Sequence, residues 1–247
     1  GHVGLVFTEG HPYNPVDAIE KFNTREEYPV EKDIHGMAYS DAYHRVTDLL
    51  QTIGLPPVEL HETRTLDLGT MTRKYDLYTA YMKKNNGEDV DIEPREYTQE
   101  DECFYFSFRQ IFDDLPVINV DWDDTHTLWE QYPTNRIQLF FSAEGVEDIY
   151  ATNLVSWNGD GEEKPLLSKE EALSAIKKDL TTLFFGGAVS VKSMELTYLI
   201  VADGDDVSLK PVWLVYTESD VVWDTTPSVK GDYMVYDAIT GKRVLEL

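Results

Sequence analysis

The sequence contains a single cysteine, Cys103, among its 247 residues, so no disulfide can form within the chain. It has no run of about 18–20 apolar residues, the length that a membrane-spanning helix needs. Basic residues are scarce, since 21 Lys and Arg stand against 46 Asp and Glu, and the formal net charge is −25. A charge of this sign repels phosphate, which argues against nucleic acid and anionic membrane surfaces as partners.

The familiar catalytic and metal-binding motifs are also missing. The sequence has no GxSxG, P-loop or GxGxxG motif, so nucleophile-elbow hydrolases, P-loop NTPases and Rossmann enzymes lose their usual support. His61-Glu62 begins like HExxH, but residue 65 is threonine, and the histidines do not cluster at the spacing of a zinc site. We therefore predict no catalytic residues, no cofactor and no metal, and we expect Cys103 to be a buried residue of an aromatic strand.

What the chain does have is enough apolar material for a core, with 42% hydrophobic and 12% aromatic residues. In the first half, Ser40–Ile53 shows helical spacing with Ser40 as a plausible N-cap. Met71–Lys83 fits a strand or a short helix, and its aromatic and Thr content favours a strand. The other predicted strands of this half are Val58–Leu68, Glu102–Ile111, Val117–Trp122, Arg136–Ser142 and Asp148–Trp157.

The second half repeats the order of a helix followed by strands. Ser168 and Glu171 form a capping box, and an apolar stripe then runs to Leu183. The predicted strands are Val189–Val201, Leu209–Thr217 and Gly231–Tyr236. This repetition predicts an α+β fold of two units, each with one helix on an antiparallel sheet. The predicted segments are an irregular stretch 1–32, an N-terminal unit 33–160 and a C-terminal unit 161–247.

The last eighty residues resemble a known group of proteins. Leu167–Leu173 opens a helix, Lys210–Tyr216 forms a strand, and Tyr236–Arg243 forms a turn that needs glycine. This combination resembles the PepSY-like domains and the related YycI-type extracytoplasmic regulators. The resemblance implies a cystatin-like fold, with a helix on an antiparallel sheet, for residues 167–247. Together with the repeated order of elements, it leads us to expect two tandem cystatin-like units, the second of them PepSY-like. It also implies a location outside the cell, membrane tethering and regulation through protein–protein contacts, and it brings no catalytic residues.

These observations lead us to expect a non-enzymatic extracytoplasmic binding or regulatory module. We expect it to be the soluble part of a bacterial lipoprotein, tethered to the cell envelope through an upstream segment. Its partner, a protein of unknown identity, would bind a sheet face or edge. Residues 1–167 hold 33 of the 46 acidic residues and only 13 of the 21 basic ones, so we expect the N-terminal unit to bind something uncharged or basic.

One acidic and aromatic segment offers a candidate contact site. Asp121, Trp122, Asp123 and Asp124 would place a tryptophan among carboxylates, an unusual surface anchor if the ring is exposed. The alternative is a carbohydrate-binding or hydrolytic protein that uses residues 121–132 for sugar stacking and acid–base chemistry. The acidic turns at 121–124, 158–163 and 203–206 could also hold calcium, although Asp, Asn and Gly suit solvated turns equally.

Overall fold

The computed structural model describes residues 28–87, 92, 96–119, 131–156, 161, 163–182, 188–204, 206–223 and 226–246. Within these residues, three α-helices and two antiparallel sheets form an α+β fold, as predicted. The chain divides into two compact units. Unit 1 comprises residues 1–108 and 136–152, and unit 2 comprises residues 109–135 and 153–247. Both units are discontinuous in sequence, whereas the predicted units are contiguous.

Unit 1 consists of a four-stranded sheet and two helices. The helices are α1 (Tyr39–Thr52) and α2 (Leu68–Asn86). The strands are β1 (Val58–Leu66), β2 (Cys103–Phe112), β4 (Arg136–Ser142) and β5 (Gly145–Thr152). Their order in the sheet is β1-β2-β4-β5. The last residues of β2 belong to unit 2, where they form a hairpin with β3 (Leu115–Pro116).

Helix α1 covers one face of this sheet. Its Ala42, Val46 and Leu50 are buried and pack in one cluster with alternating aromatic residues of β2 and apolar residues of β4. The predicted N-cap Ser40 is wrong, because the helix begins at Tyr39 and its N-cap is Ala38, two residues before Ser40, with no side-chain cap. Asp33 takes over part of that role, since its Oδ1 accepts a hydrogen bond from the Tyr39 N–H at 2.8 Å.

The predicted strand at Met71–Lys83 is wrong, because this segment lies inside helix α2. Asp67 is the N-cap and accepts from the Thr70 N–H. Met71 and Lys74 are the buried residues of the helix, and their three-residue spacing fits a helical period. A side-chain cap and packing against the core therefore outweigh the strand propensity of the Tyr and Thr residues.

The described residues of unit 2 form one helix on a four-stranded antiparallel sheet. The predicted capping box is confirmed, with Ser168 and Glu171 bonded reciprocally at the start of α3 (Lys169–Leu180). The strands, in spatial order, are β6 (Val189–Asp203), β7 (Asp206–Trp223), β8 (Thr226–Asp237) and β9 (Arg243–Glu246). Ala172 and Ile176 of α3 pack against one face, and Ile118 packs against the opposite face.

Gln110, Asn135 and Asn153 lie close in sequence to the points where the chain passes from one unit to the other. Asn135 Oδ1 accepts from the backbone N–H of Gln110 at 3.1 Å. Asn135 Nδ2 donates to Gln110 Oε1 at 3.2 Å and to the Asn153 carbonyl at 3.1 Å. Gln110 and Asn135 are both fully buried, and these bonds satisfy polar groups that water cannot reach. All three residues belong to unit 2, so the cluster joins its separate chain segments.

Candidate functional site

Strand β5 is the last strand of the unit 1 sheet. It pairs antiparallel with β4, from Arg136↔Thr152 to Ser142↔Gly145, and no other described strand pairs with it. An edge strand leaves alternate backbone N–H and C=O groups without a partner, so it can accept a further strand. None of the side chains of β5 is buried, in contrast to those of β4.

Apolar side chains are exposed along this edge. Val146, Ile149 and Tyr150 are 44%, 39% and 39% exposed. Ile149 lies opposite Leu139, on the face that α1 covers, whereas Tyr150 lies opposite Gln138 on the other face. The edge therefore presents an apolar contact on each of its two faces, where side chains of an added strand would lie.

The regular part of the edge runs from Asp148 to Thr152. The register shifts after the pair Phe140↔Asp148, and Glu147 is the extra residue of a β-bulge. The bulge is fixed by Ser142, whose Oγ donates to Glu147 Oε1 at 2.6 Å. At the other end, Asn153 has a φ of +53°, which ends the extended backbone.

The opposite edge of the unit 1 sheet, strand β1, is met by the preceding chain at Thr65. The Thr65 N–H of β1 donates to the Pro29 carbonyl at 2.7 Å. The Lys32 N–H donates to Thr65 Oγ1 at 3.1 Å, and Lys32 Nζ lies 2.9 Å from Asp67 Oδ1. Burial alone would raise the pKa of Asp67, but hydrogen bonds from Lys32 and Thr70 outweigh it and hold that pKa below its ordinary value. Pro29 and Lys32 thus cover the β1 edge near its end.

The edges of the unit 2 sheet carry features that discourage strand addition. On β6, the Tyr198 carbonyl accepts from the Ile118 N–H at 2.9 Å, and Lys192 lies at a break in register. On β8, pairing with β9 extends only to Met234, and the part beyond contains Pro227, which has no N–H to donate. Covers, bulges, charged side chains (lysine above all) and proline are the usual means of blocking an edge. Strand β5 has a bulge at one end and carries Glu147 and Asp148 there, but it contains neither lysine nor proline.

The predicted contact residues Asp121, Trp122, Asp123 and Asp124 lie outside the described residues, as does most of the alternative segment 121–132. The described Tyr132 is partly buried against the cluster around Leu199 and Val212. Among the described residues, no group of three or more His, Cys, Asp or Glu is arranged to hold a metal ion. No helix in this part of the chain is long and apolar enough to cross a membrane.

Unit 1 has two further features that could form a reactive or binding site, a cysteine and a surface depression. Cys103 is buried in β2, as predicted, and burial raises the pKa of its thiol, which disfavours the reactive thiolate. A depression of about 520 Å³ lies at the start of α1 and is lined by Gly36, Met37, Ala38, Asp41, His44 and Arg45. Its polar side chains are exposed to solvent, so water competes for any group that they could bind.

No family model and no curated protein matches the chain. Among solved structures, it is similar to the crystal structure of an uncharacterized protein from Eubacterium rectale ATCC 33656. The two share 16% sequence identity with a TM-score of 0.61, and the match covers 90% of this chain and 59% of that chain. This likeness shows a shared fold, and this chain spans less than two thirds of the other protein's length.

Proposed function

We propose that this chain is a non-enzymatic, extracytoplasmic binding or regulatory module that accepts an extended segment of a partner protein at strand β5. The observation that carries the proposal is an open edge with exposed apolar side chains on both faces, Ile149 on one and Tyr150 on the other. Backbone hydrogen bonds to Asp148–Thr152 would supply affinity, and side-chain contacts along the strand would supply selectivity.

The contrast with the other edges supports this choice of site. Residues 29–32 cover the β1 edge at Thr65, and the Ile118 N–H bonds to the β6 edge at Tyr198. Natural sheets block edges that must not pair, and within the described part of the chain the Asp148–Thr152 edge has no lysine, proline or cover, which favours a binding role. The regular edge spans only Asp148–Thr152, which suits recognition of a short peptide segment rather than a large permanent interface.

The finer architecture and the location are part of the same proposal. We propose that the two units are tandem cystatin-like units and that the second is PepSY-like. Support comes from α3 lying on β6–β9 and from the turn after Asp237, whose Oδ1 accepts from the Ile239 and Thr240 N–H groups at 2.9 and 2.7 Å. The proposal that this is the soluble part of an envelope lipoprotein rests on the resemblance of residues 167–247 alone.

Hydrogen exchange tests strand addition directly. The probe is a short peptide of alternating threonine and valine with blocked ends, added to the whole chain. We expect the peptide to slow exchange of amides within Asp148–Thr152 that β4 does not bond. The variant Ile149→Lys should abolish this protection while leaving stability within about 0.5 kcal/mol, because the site is exposed.

Val207→Lys provides the matched control, since Val207 is an exposed strand residue of unit 2, at 57% exposure. This variant should keep the protection of β5. If the peptide protects no β5 amide in the folded protein, or protects Ile149→Lys equally, strand addition at this edge is wrong.

A further inference from the structure

We infer that the partner segment accepted at β5 is cationic at the end that meets Asp148, an inference that rests on the proposed strand addition. Glu144 and Asp148 are exposed and Glu147 is half-buried, so three carboxylates lie at the start of the strand. No lysine or arginine occurs between Arg136 and Lys164. A basic side chain of an added strand therefore finds negative charge at this end and no competing cation on β5 itself.

The register places these charges on particular faces. Asp148 lies opposite Phe140, and it shares its face of the sheet with Tyr150 and Thr152 because side chains alternate along a strand. Glu147 reaches Ser142 through its Oε1. A partner residue directly across from Asp148 would lie within about 4.5–5.5 Å, measured between Cβ atoms, close enough for an ion pair.

The positions of the neighbouring basic residues make the charge at the two ends of the β5 edge different. Arg136 lies opposite Thr152, at the end of the ladder away from Asp148. Arg45 of α1 lies with its guanidinium 4.9 Å from the ring centre of Phe141, which is opposite Val146 on the α1 face. The negative end of the Asp148 face is thus separate from both cations. A matching strand has its lysine or arginine beside Asp148, an apolar residue beside Tyr150, and no cation beside Thr152.

The same charges argue against a second copy of this chain as the occupant. Another β5 edge would bring the same three carboxylates and no lysine or arginine of its own. Like charges oppose that encounter, whereas the field of a chain with net charge −25 accelerates the approach of a cationic segment. The structure therefore favours a basic partner over self-association through this edge.

The test compares three peptides of the same length in the hydrogen-exchange assay. One is the neutral threonine–valine peptide, and the others carry two lysines or two glutamates in place of threonine at one end. We expect the lysine peptide to bind about ten-fold more tightly than the glutamate peptide at low salt, with the difference shrinking as salt is added. Asp148→Lys should reverse the preference, while Asp206→Lys, an exposed acid at the start of β7, should not.

The outcomes separate this inference from the proposed function. If all three peptides protect β5 equally, strand addition holds and the cationic partner is wrong. If no peptide protects β5 in the folded protein, strand addition fails and the inference fails with it. If Asp148→Asn self-associates while lysine gives the peptide no advantage, the carboxylates serve only to prevent edge-to-edge pairing, and the inference is overturned.

Discussion

The turn after β8 allows a quantitative test of how the absence of a side chain at Gly241 contributes to the stability of unit 2. Gly241 has a φ of +68°, a backbone conformation that L side chains rarely adopt. A Cβ placed on it would lie 2.9 Å from the Cβ of Ala175 in α3 and 3.1 Å from Cδ1 of Leu167. The same turn is tied to the helix entry, because the Leu167 N–H donates to the Ala238 carbonyl at 2.9 Å. Gly241→Ala therefore adds both backbone strain and a steric clash.

The expected loss can be divided between these two causes. A left-handed conformation costs an L residue about 1–2 kcal/mol. Forcing a methyl group into a packed site costs about 1–3 kcal/mol more. The control is Gly204→Ala in the β6–β7 turn, where φ is +61° and nothing lies within 4 Å of the added Cβ. Gly204→Ala should show the strain alone, so the difference between the variants measures packing of the turn against α3.

Hydrogen exchange of the β7 and β8 amides in native conditions reports the opening free energy of unit 2. We expect Gly241→Ala to lose about 1–3 kcal/mol more than Gly204→Ala. Adding Ala175→Gly to Gly241→Ala should make the combined loss smaller than the sum of the two single losses, because it removes the closest atom. Equal losses for the two glycine variants, within about 0.5 kcal/mol, would refute the packing argument.

Two further variants test buried polar groups. Asn135→Ala leaves the Gln110 N–H and the Asn153 carbonyl without their partner, so unit 2 should lose about 2–4 kcal/mol by chemical denaturation. Asp67→Asn keeps an N-cap oxygen but removes the ion pair with Lys32. Because the folded-state pKa of Asp67 is depressed, its stabilising effect is complete above its ordinary value of 3.8 and is lost as the pH falls through the folded-state pKa. The variant should be less stable at pH 7 and should lose less stability on acidification.

Controls for these two variants use exposed groups of the same kind. Asn85→Ala removes a solvent-exposed amide near the end of α2, and it should cost no more than about 0.5 kcal/mol. Asp76→Asn, on the exposed side of the same helix, should cost no more than about 0.5 kcal/mol at pH 7. An Asn135→Ala loss as small as that of Asn85→Ala, or the same acid response in Asp67→Asn and the unaltered protein, would contradict the reasoning.

Local signals in the sequence predicted the elements whose causes are local. The Ser168–Glu171 capping box needs only residues three apart, and it starts α3 where predicted. The turn at Asp237–Gly241 likewise depends on an Asx hydrogen bond and a left-handed glycine within five residues. Strand β4 has the predicted bounds, Arg136–Ser142, and its residues from Ile137 to Ser142 are buried on both faces.

The failures arise where distant residues decide the outcome. Ser40 was the better N-cap by residue type, but Asp33 reaches the Tyr39 N–H from outside the helix. For helix α2, propensity alone predicts a strand, because the segment is rich in Tyr and Thr residues. The Asp67 cap is a local signal, with Thr70 three residues away, that outweighs this propensity. The burial of Met71 against Tyr105 and Leu66 becomes visible only once β1 and β2 are in place. The repeated order of elements predicts two contiguous units, and it gives no sign that residues 109–135 belong with the second unit.

The open edge at β5 follows from this discontinuous topology. After β2, the chain enters unit 2 and returns at Arg136 to pair β4 beside β2, with β5 next to β4. After Thr152 the chain passes into unit 2, and among the described residues no strand other than β4 pairs with β5. The acidic composition between Arg136 and Lys164 is visible in the sequence, but its meaning depends on that order of strands. On a central strand the same carboxylates would have to be buried, whereas on an edge strand they can stay in contact with water, as the proposed cationic partner requires.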